Sequence, residues 1–272
     1  MLLVPLFWGG AFGSTKHVLT ELPPLTVAAF RFLCAGLLMT LWTIWRGEWD
    51  WRAVRASWPG LLGLGATGIL GYNALFNIGM QYTSAINGAL VIVINPVTTS
   101  LVAVLFLGER WSLRQGLGAV ISAVGVLIVI TRGDLSTLLS LSLNRGELLL
   151  LAAVATWTTY AILGKIVMRR ISPTLATAVS MLTGSLMLLI ASLPEKGWAK
   201  LPNVSFQVAA ELIYLAIFAS FIAFLIFNMG VREIGAGKAS AYINLMPVNA
   251  VLIAALLYGE TVTWPHVAGM FF

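Results

Sequence analysis

The sequence predicts an all-α integral membrane protein in which ten transmembrane helices form two five-helix repeats of opposite orientation. Three observations predict this fold: an apolar composition, ten long apolar runs, and residues that recur 149 to 151 positions later. Of the 272 residues, 59% are hydrophobic and 10% are charged, whereas a soluble domain is about a quarter charged. A soluble fold of this size could not bury so much apolar surface, so lipid must cover part of it.

The apolar runs predict helices rather than barrel strands, because they are long and lack the alternation of polar and apolar residues that barrel strands show. The tenth run stops at Phe272, which is too short to cross a bilayer at about 1.5 Å per residue, so we expect the chain to be trimmed at this end. The ten predicted spans lie near residues 1–19, 25–45, 57–80, 85–107, 112–131, 146–168, 174–193, 207–230, 236–258 and 264 onward.

The formal net charge of +6 does not indicate nucleic-acid binding, because the basic residues lie at the ends of apolar runs and form no stripe. Lys and Arg accumulate in cytoplasmic loops, and here ten against five favour both termini on the cytoplasmic side. The predicted location is a bacterial inner (plasma) membrane. The richer side holds Arg46, Arg52, Arg55, Arg110, Arg114, Lys165, Arg169, Arg170, Arg232 and Lys238. The other side holds Lys16, Arg132, Arg145, Lys196 and Lys200.

Two sets of residues recur along the chain and predict an internal duplication. The first set returns after 149 positions: Trp8, Lys16 and Pro24 reappear as Trp157, Lys165 and Pro173. The second returns after 151 positions: Phe76-Asn77, Gly79, Pro96 and Gly108-Glu109 reappear as Phe227-Asn228, Gly230, Pro247 and Gly259-Glu260. The predicted boundaries are residues 1–131 for the first repeat, 132–145 for a linker loop and 146–272 for the second repeat.

Five spans separate equivalent positions, and an odd number inverts the second copy in the membrane. Inverted repeats are typical of secondary transporters, whose halves exchange shapes around a site at the midplane and so open it to either side in turn. The repeat therefore favours a carrier for a small-molecule substrate. A membrane enzyme is disfavoured, because no nucleophile–base pair, metal-ligand set or paired carboxylates lie at a common depth.

The segment INPVTTSLVAVLFLGERWSLRQGLGAVISAVGVLIV and its echo LMPVNAVLIAALLYGETVTWPHVAG resemble the EamA-type members of the drug/metabolite transporter superfamily. The opening WGGAFGSTKHVL and the aromatic content are most similar to the YddG amino-acid exporters. This resemblance implies ten helices in a five-plus-five inverted arrangement and export of amino acids from the cytoplasm. The second copy departs from the pattern, with Pro265-His266 where Arg114-Gln115 stand in the first.

Polar side chains within a span are expensive in hydrocarbon and tend to face a cavity or a partner helix. Amides can bind a zwitterionic substrate, since they donate to carboxylate and accept from ammonium; the alternative is that they only bridge helices. Trp8 and Trp157 hold equivalent positions and could wall one central cavity, although tryptophans also form interfacial belts. The predicted substrate-binding residues are Trp8, Tyr72, Asn73, Tyr82, Asn87, Asn95, Trp157, Tyr160, Tyr242 and Asn244.

Pro96 and Pro247 fall inside two spans, where proline kinks a helix. They are candidate hinges of alternating access, the alternative being a static kink. Lys16, Lys165 and Arg31 lie near span ends and are interpreted as side chains that reach the interface by snorkelling. The alternative for the two lysines is that they attract an anionic group at each mouth of the pathway.

No Asp or Glu occupies the middle of a span. Transport is therefore either coupled to an ion through an end-of-span group, or uncoupled, in which case the protein is a facilitator. The candidate coupling groups are Glu109, Glu260, His17 and His266. Glycines 63, 65 and 68 fit a GxGxxG pattern but lie in an apolar run, which favours close helix packing over nucleotide binding.

No cofactor or metal is predicted, and a monomer is expected. The predicted function is amino-acid export, aromatic and apolar ones included. The alternatives are export of other metabolites or cationic drugs, and a facilitative channel.

Overall fold

The structure, a computed structural model, describes residues 1–108, 116–118, 120–121, 124, 144–259 and 261–264. These residues contain eight long helices and no strand. The long helices are α1 (Leu3–Val18), α2 (Pro24–Trp45), α3 (Trp58–Tyr82), α4 (Ala85–Leu107), α5 (Arg145–Val167), α6 (Pro173–Ser192), α7 (Phe206–Ile234) and α8 (Ala236–Tyr258). Short helical segments lie at Trp51–Ala56, Leu193–Glu195 and Gly197–Asn203.

Seven of the described helices, α2 to α8, are long and apolar enough to cross a membrane. Helix α1 has 16 residues. These eight helices coincide with eight predicted spans and confirm a helical membrane protein. The predicted run 112–131 lies mostly outside the described residues, as does the run from 264 onward, so the number of ten spans stays a prediction.

The helix ends follow local chemistry. Pro24 and Pro173 stand in the first turns of α2 and α6, where their missing N–H groups cost nothing. Ser84 starts α4 because its hydroxyl accepts a hydrogen bond from the Asn87 N–H. Gly108 and Gly259 end α4 and α8 with φ of 66° and 65°, a left-handed conformation that glycine adopts without strain.

Helices α3 and α7 each contain a π-helical segment, at Gly65–Gly71 and Leu215–Ile222. Helices α4 and α8 are also irregular, and both irregularities directly precede a proline. A turn interrupts α4 before Pro96, and a 3₁₀ segment at Tyr242–Leu245 precedes Pro247 in α8. The first half of the chain therefore carries the same two kinds of irregularity, in the same order, as the second.

Helices α3 and α6 cross closely through glycines. A Cβ at Gly65 would lie 2.9 Å from the Gly184 backbone nitrogen, and a Cβ at Gly184 would lie 2.6 Å from the Gly65 carbonyl oxygen. Gly68 lies directly beneath the Tyr160 ring of α5. These contacts confirm that the GxGxxG pattern is a helix-packing surface.

Lys16 and Lys165 donate to backbone carbonyls at the ends of neighbouring helices. The Lys16 ammonium lies 2.8 Å from the Met80 oxygen at the end of α3, and that of Lys165 lies 2.7 Å from the Arg232 oxygen at the end of α7. Terminal carbonyls lack partners within their own helix and carry the negative end of its dipole. The two lysines thus bind the C-terminal ends of neighbouring helices.

Candidate functional site

A cavity lies at the centre of the helices, and α1, α2, α3, α4, α5, α7 and α8 each contribute to its lining. Its wall is mainly aromatic. The aromatic residues are Trp8, Phe12, Tyr72, Phe76, Trp157 and Phe224. The polar side chains in the lining are those of Arg31, Asn73 and Asn95.

Trp8 of α1 and Trp157 of α5 contact each other in this cavity. Their ring centroids are 5.1 Å apart and their planes meet at 88°, an edge-to-face geometry that aromatic pairs prefer. Trp157 also contacts Tyr72 and Phe227, at 5.0 Å and 5.1 Å between ring centroids. The two tryptophans therefore form the centre of one aromatic cluster.

The two indole N–H groups differ. Trp8 Nε1 donates to the Ala219 carbonyl at 2.8 Å, within the π-helical segment of α7. Trp157 is 3% exposed, and its Nε1 has no hydrogen-bond partner among the described residues. A buried donor without a partner is unusual in proteins, and here it belongs to a residue of the cavity wall.

Arg31 is the charged residue in the cavity wall. Its side chain enters from α2, is 4% exposed, and donates from Nε to Ser220 Oγ at 2.8 Å. Its Cζ lies 4.9 Å from the Phe32 ring centre. Within the described part of the chain, no Asp or Glu forms an ion pair with it.

The two cavity amides are used differently. Asn73 Nδ2 donates to the Gly68 and Ile69 carbonyls, at 3.0 Å each, and so binds oxygens of the π-helical segment in α3. Asn95 is 1% exposed, and its Oδ1 has no partner among the described residues. The Asn73 amide nitrogen is thus bonded to the backbone, whereas the Asn95 amide oxygen has no hydrogen-bond partner among the described residues.

In this conformation the cavity has a volume of about 30 Å³. About 10–15 Å³ holds one water molecule, so the space corresponds to about two waters. An amino acid would need the surrounding helices or side chains to move apart.

The predicted site residues divide between several places. Trp8, Tyr72, Asn73, Asn95 and Trp157 line the central cavity. Tyr160 lies behind it, 5.3 Å from Trp157 between ring centroids, and its hydroxyl accepts from Asn228 at 2.7 Å.

The remaining predicted site residues lie away from this cavity. Tyr82 and Asn87 line a separate, open polar pocket that also includes Lys16. Tyr242 and Asn244 are exposed, and Pro96 and Pro247 are buried beside the irregular parts of α4 and α8.

Sequence reasoning assigned Arg31 to the interface, and the structure corrects this. Helix α2 begins at Pro24, which places Arg31 about 10 Å along the helix at 1.5 Å per residue. That depth was the available signal, because a basic residue so far from a helix end has difficulty reaching water. Phe12, Phe76 and Phe224 were also missed, since an apolar side chain in a span carries no sign of whether it faces a cavity or lipid.

A second polar cluster joins α1, α7 and α8. His17 Nδ1 lies 2.7 Å from Glu211 Oε2, and the Tyr258 hydroxyl donates to Glu211 Oε1 at 2.9 Å. Ser14 Oγ lies 3.1 Å from the Tyr258 hydroxyl. Of the end-of-span groups considered for coupling, His17 is thus paired with a carboxylate, while Glu109, Glu260 and His266 lie outside the described residues.

A bundle of membrane-spanning helices around a central cavity is the architecture of a multi-pass membrane protein, and such a cavity suits a carrier of small molecules. The sequence comparisons agree with this class. The EamA-like transporter family matches residues 1–131 and 144–272. The chain belongs to this family, within the drug/metabolite transporter superfamily.

Several relatives share most of the chain. The "Uncharacterized transporter YyaM" of Bacillus subtilis is 32% identical over 249 residues, which cover 92% of this chain and 82% of the relative. The "Uncharacterized inner membrane transporter YedA" of Escherichia coli is 27% identical, with 96% and 85% covered. A crystal structure with 19% identity superposes with a TM-score of 0.70, over 98% of this chain and 90% of the other, and shows the same fold.

Proposed function

We propose that this protein is a secondary transporter that exports amino acids, aromatic and apolar ones included, from the cytoplasm by alternating access. In this proposal residues 1–131 and 146–272 are two five-helix repeats of opposite orientation, joined by a linker at 132–145. The protein works as a monomer in a bacterial inner membrane, with both termini in the cytoplasm. No cofactor takes part.

One observation carries the proposal: Trp8 and Trp157, which the sequence repeat makes equivalent, meet edge to face in one central cavity. An inverted pair of halves has its shared site where equivalent residues converge. Aromatic rings provide apolar contact for a substrate side chain and can also stabilise an ammonium group by cation–π attraction. An aromatic or apolar amino acid presents both features.

The narrow cavity supports alternating access rather than an open channel. Space for about two waters is too small for an amino acid, so in this proposal the substrate passes through states in which the cavity is wider. Pro96 and Pro247 stand beside the helix irregularities of α4 and α8. They are placed to act as hinges when these helices change shape.

Transport into and out of proteoliposomes tests the function. Vesicles containing purified protein are loaded with labelled amino acids, and efflux is measured with and without a pH gradient. We expect saturable efflux of aromatic and large apolar amino acids and none from protein-free vesicles. Efflux of only cationic drugs or other metabolites would identify the protein as an exporter of those compounds instead of amino acids. Flux that does not saturate with substrate concentration would favour a channel.

Replacement of both prolines tests the hinge role. We expect Pro96→Ala together with Pro247→Ala to lower the maximal transport rate by about tenfold, because a regular helix resists the bending that the proline breaks permit. Substrate affinity should change little, since neither proline lines the cavity. The measurement is initial efflux rate against substrate concentration, and Pro202→Ala, in the short 3₁₀ segment after α6, is the control. An unchanged maximal rate in the double variant would remove the hinge role.

A further inference from the structure

Arg31 is a buried cation that faces a space rather than an anion. It is 4% exposed, lies in a membrane-spanning helix and lines the central cavity. A charged side chain inside a membrane protein is costly and usually pairs with an opposite charge or serves a transport pathway. Among the described residues no carboxylate pairs with Arg31, so the observed neighbours leave its charge uncompensated.

The hydrogen bond of Arg31 uses Nε and not the two terminal nitrogens of the guanidinium. Nε donates to Ser220 Oγ at 2.8 Å, and the guanidinium lies against the Phe32 ring; these two contacts fix its orientation. No described residue accepts a hydrogen bond from its terminal nitrogens, Nη1 and Nη2. Two parallel N–H donors on a fixed guanidinium match the two oxygens of a carboxylate.

Two further groups of the same cavity wall lack partners and have complementary chemistry. The indole N–H of Trp157 is a donor and so suits an anionic oxygen. The Asn95 amide oxygen is an acceptor and so suits an ammonium group. A buried polar group without a partner calls for an explanation, and here a cation, a donor and an acceptor belong to three residues that line one cavity.

We infer that Arg31, Trp157 and Asn95 form a recognition site for a zwitterion. The Arg31 guanidinium binds the substrate carboxylate, the Trp157 N–H donates a further hydrogen bond to that carboxylate, and the Asn95 oxygen accepts from the ammonium group. The aromatic rings then enclose the substrate side chain. This inference rests on the proposed amino-acid transport and makes the carboxylate the feature that the protein selects.

The inference predicts that Arg31 decides between an amino acid and its decarboxylated amine. Wild type, Arg31→Gln and Arg31→Lys are reconstituted, and efflux of labelled phenylalanine, phenethylamine and phenylpropionate is measured. We expect Arg31→Gln to raise the KM for phenylalanine by about 100-fold or more and to change phenethylamine transport little. Arg31→Lys keeps the positive charge but lacks the two parallel N–H donors. Its KM for phenylalanine should therefore lie between those of wild type and Arg31→Gln. Trp157→Phe, which keeps a ring but removes the N–H, should raise the KM for phenylalanine by about tenfold.

Arg46→Gln, at the exposed end of the same helix, is the matched control and should match wild type. The elution profile and the thermal midpoint show whether each variant is folded. If Arg31→Gln is not folded, the KM values of the folded Arg31→Lys and Trp157→Phe variants are compared with that of wild type instead. An equal KM for phenylalanine in wild type and the folded Arg31 variants would overturn the inference while leaving amino-acid transport standing. A different result would separate the two proposals. If wild type transported phenylpropionate but not phenylalanine, and the Arg31 variants lost phenylpropionate transport, amino-acid transport would be refuted while the carboxylate-binding role of Arg31 would stand.

Discussion

Trp157→Ala is expected to lower efflux of aromatic amino acids at sub-saturating concentration by about 100-fold. Trp157 contacts Trp8, Tyr72 and Phe227 and borders the cavity. Loss of a central buried aromatic contact costs about 2–4 kcal/mol of binding free energy, which corresponds to such a factor at about 1.4 kcal/mol per tenfold. Initial rates of efflux from proteoliposomes over a range of substrate concentrations measure the effect.

Trp58→Ala is the control for Trp157→Ala. Trp58 is 45% exposed at the start of α3, and its removal should leave transport within about twofold of wild type, as surface substitutions usually have small effects. If Trp157→Ala folds normally and transports within threefold of wild type, the central cavity is not the substrate site.

Gly184→Ala is expected to have the largest effect on folding. The added methyl group would overlap the Ile69 Cβ and lie 2.6 Å from the Gly65 carbonyl oxygen. The carbonyl belongs to the backbone of α3 and cannot move aside without displacing that helix. Overpacking of this kind costs about 1–3 kcal/mol or more, and we expect the thermal midpoint in detergent to fall by about 5–10 °C.

Gly164→Ala provides the comparison for Gly184→Ala. The nearest atom to a Cβ at Gly164 is the flexible end of Met168, at 3.4 Å, and alanine has a higher helix propensity than glycine. We expect its midpoint to equal or exceed that of wild type. Equal midpoints for both variants would show that α3 and α6 do not cross as closely as the structure indicates.

Much of the fold was accessible from the sequence because membrane helices leave strong signals. Apolar runs between charged or proline-containing breaks placed eight of the spans within four residues of the observed bounds. The π-helical segments in α3 and α7 were not predicted. They depend on how helices pack, as when Asn73 binds the carbonyls of Gly68 and Ile69, and no residue pattern specifies this.

The candidate site was predictable only in part, because a sequence shows depth in the membrane better than it shows direction. Equivalent predicted depth, 149 positions apart in the sequence, led to Trp8 and Trp157, which do face one another. The direction in which Asn87 or Tyr242 points depends on helix rotation, and these two lie away from the central cavity. Arg31 was predicted at the interface, but it lies seven residues after the start of α2, about 10 Å along the helix axis.

Accessibility labelling tests the central claim most directly, namely that two halves of opposite orientation enclose one cavity. Gln81 and Arg232 are exposed, stand 151 positions apart and lie at the ends of α3 and α7, which are the third and eighth predicted spans. Gln81→Cys and Arg232→Cys are made separately in a Cys34→Ser background and treated with a membrane-impermeant maleimide in intact cells and in inverted vesicles. The account predicts labelling of Gln81→Cys only from outside and of Arg232→Cys only from the cytoplasmic side. Labelling of both from the same side would contradict it.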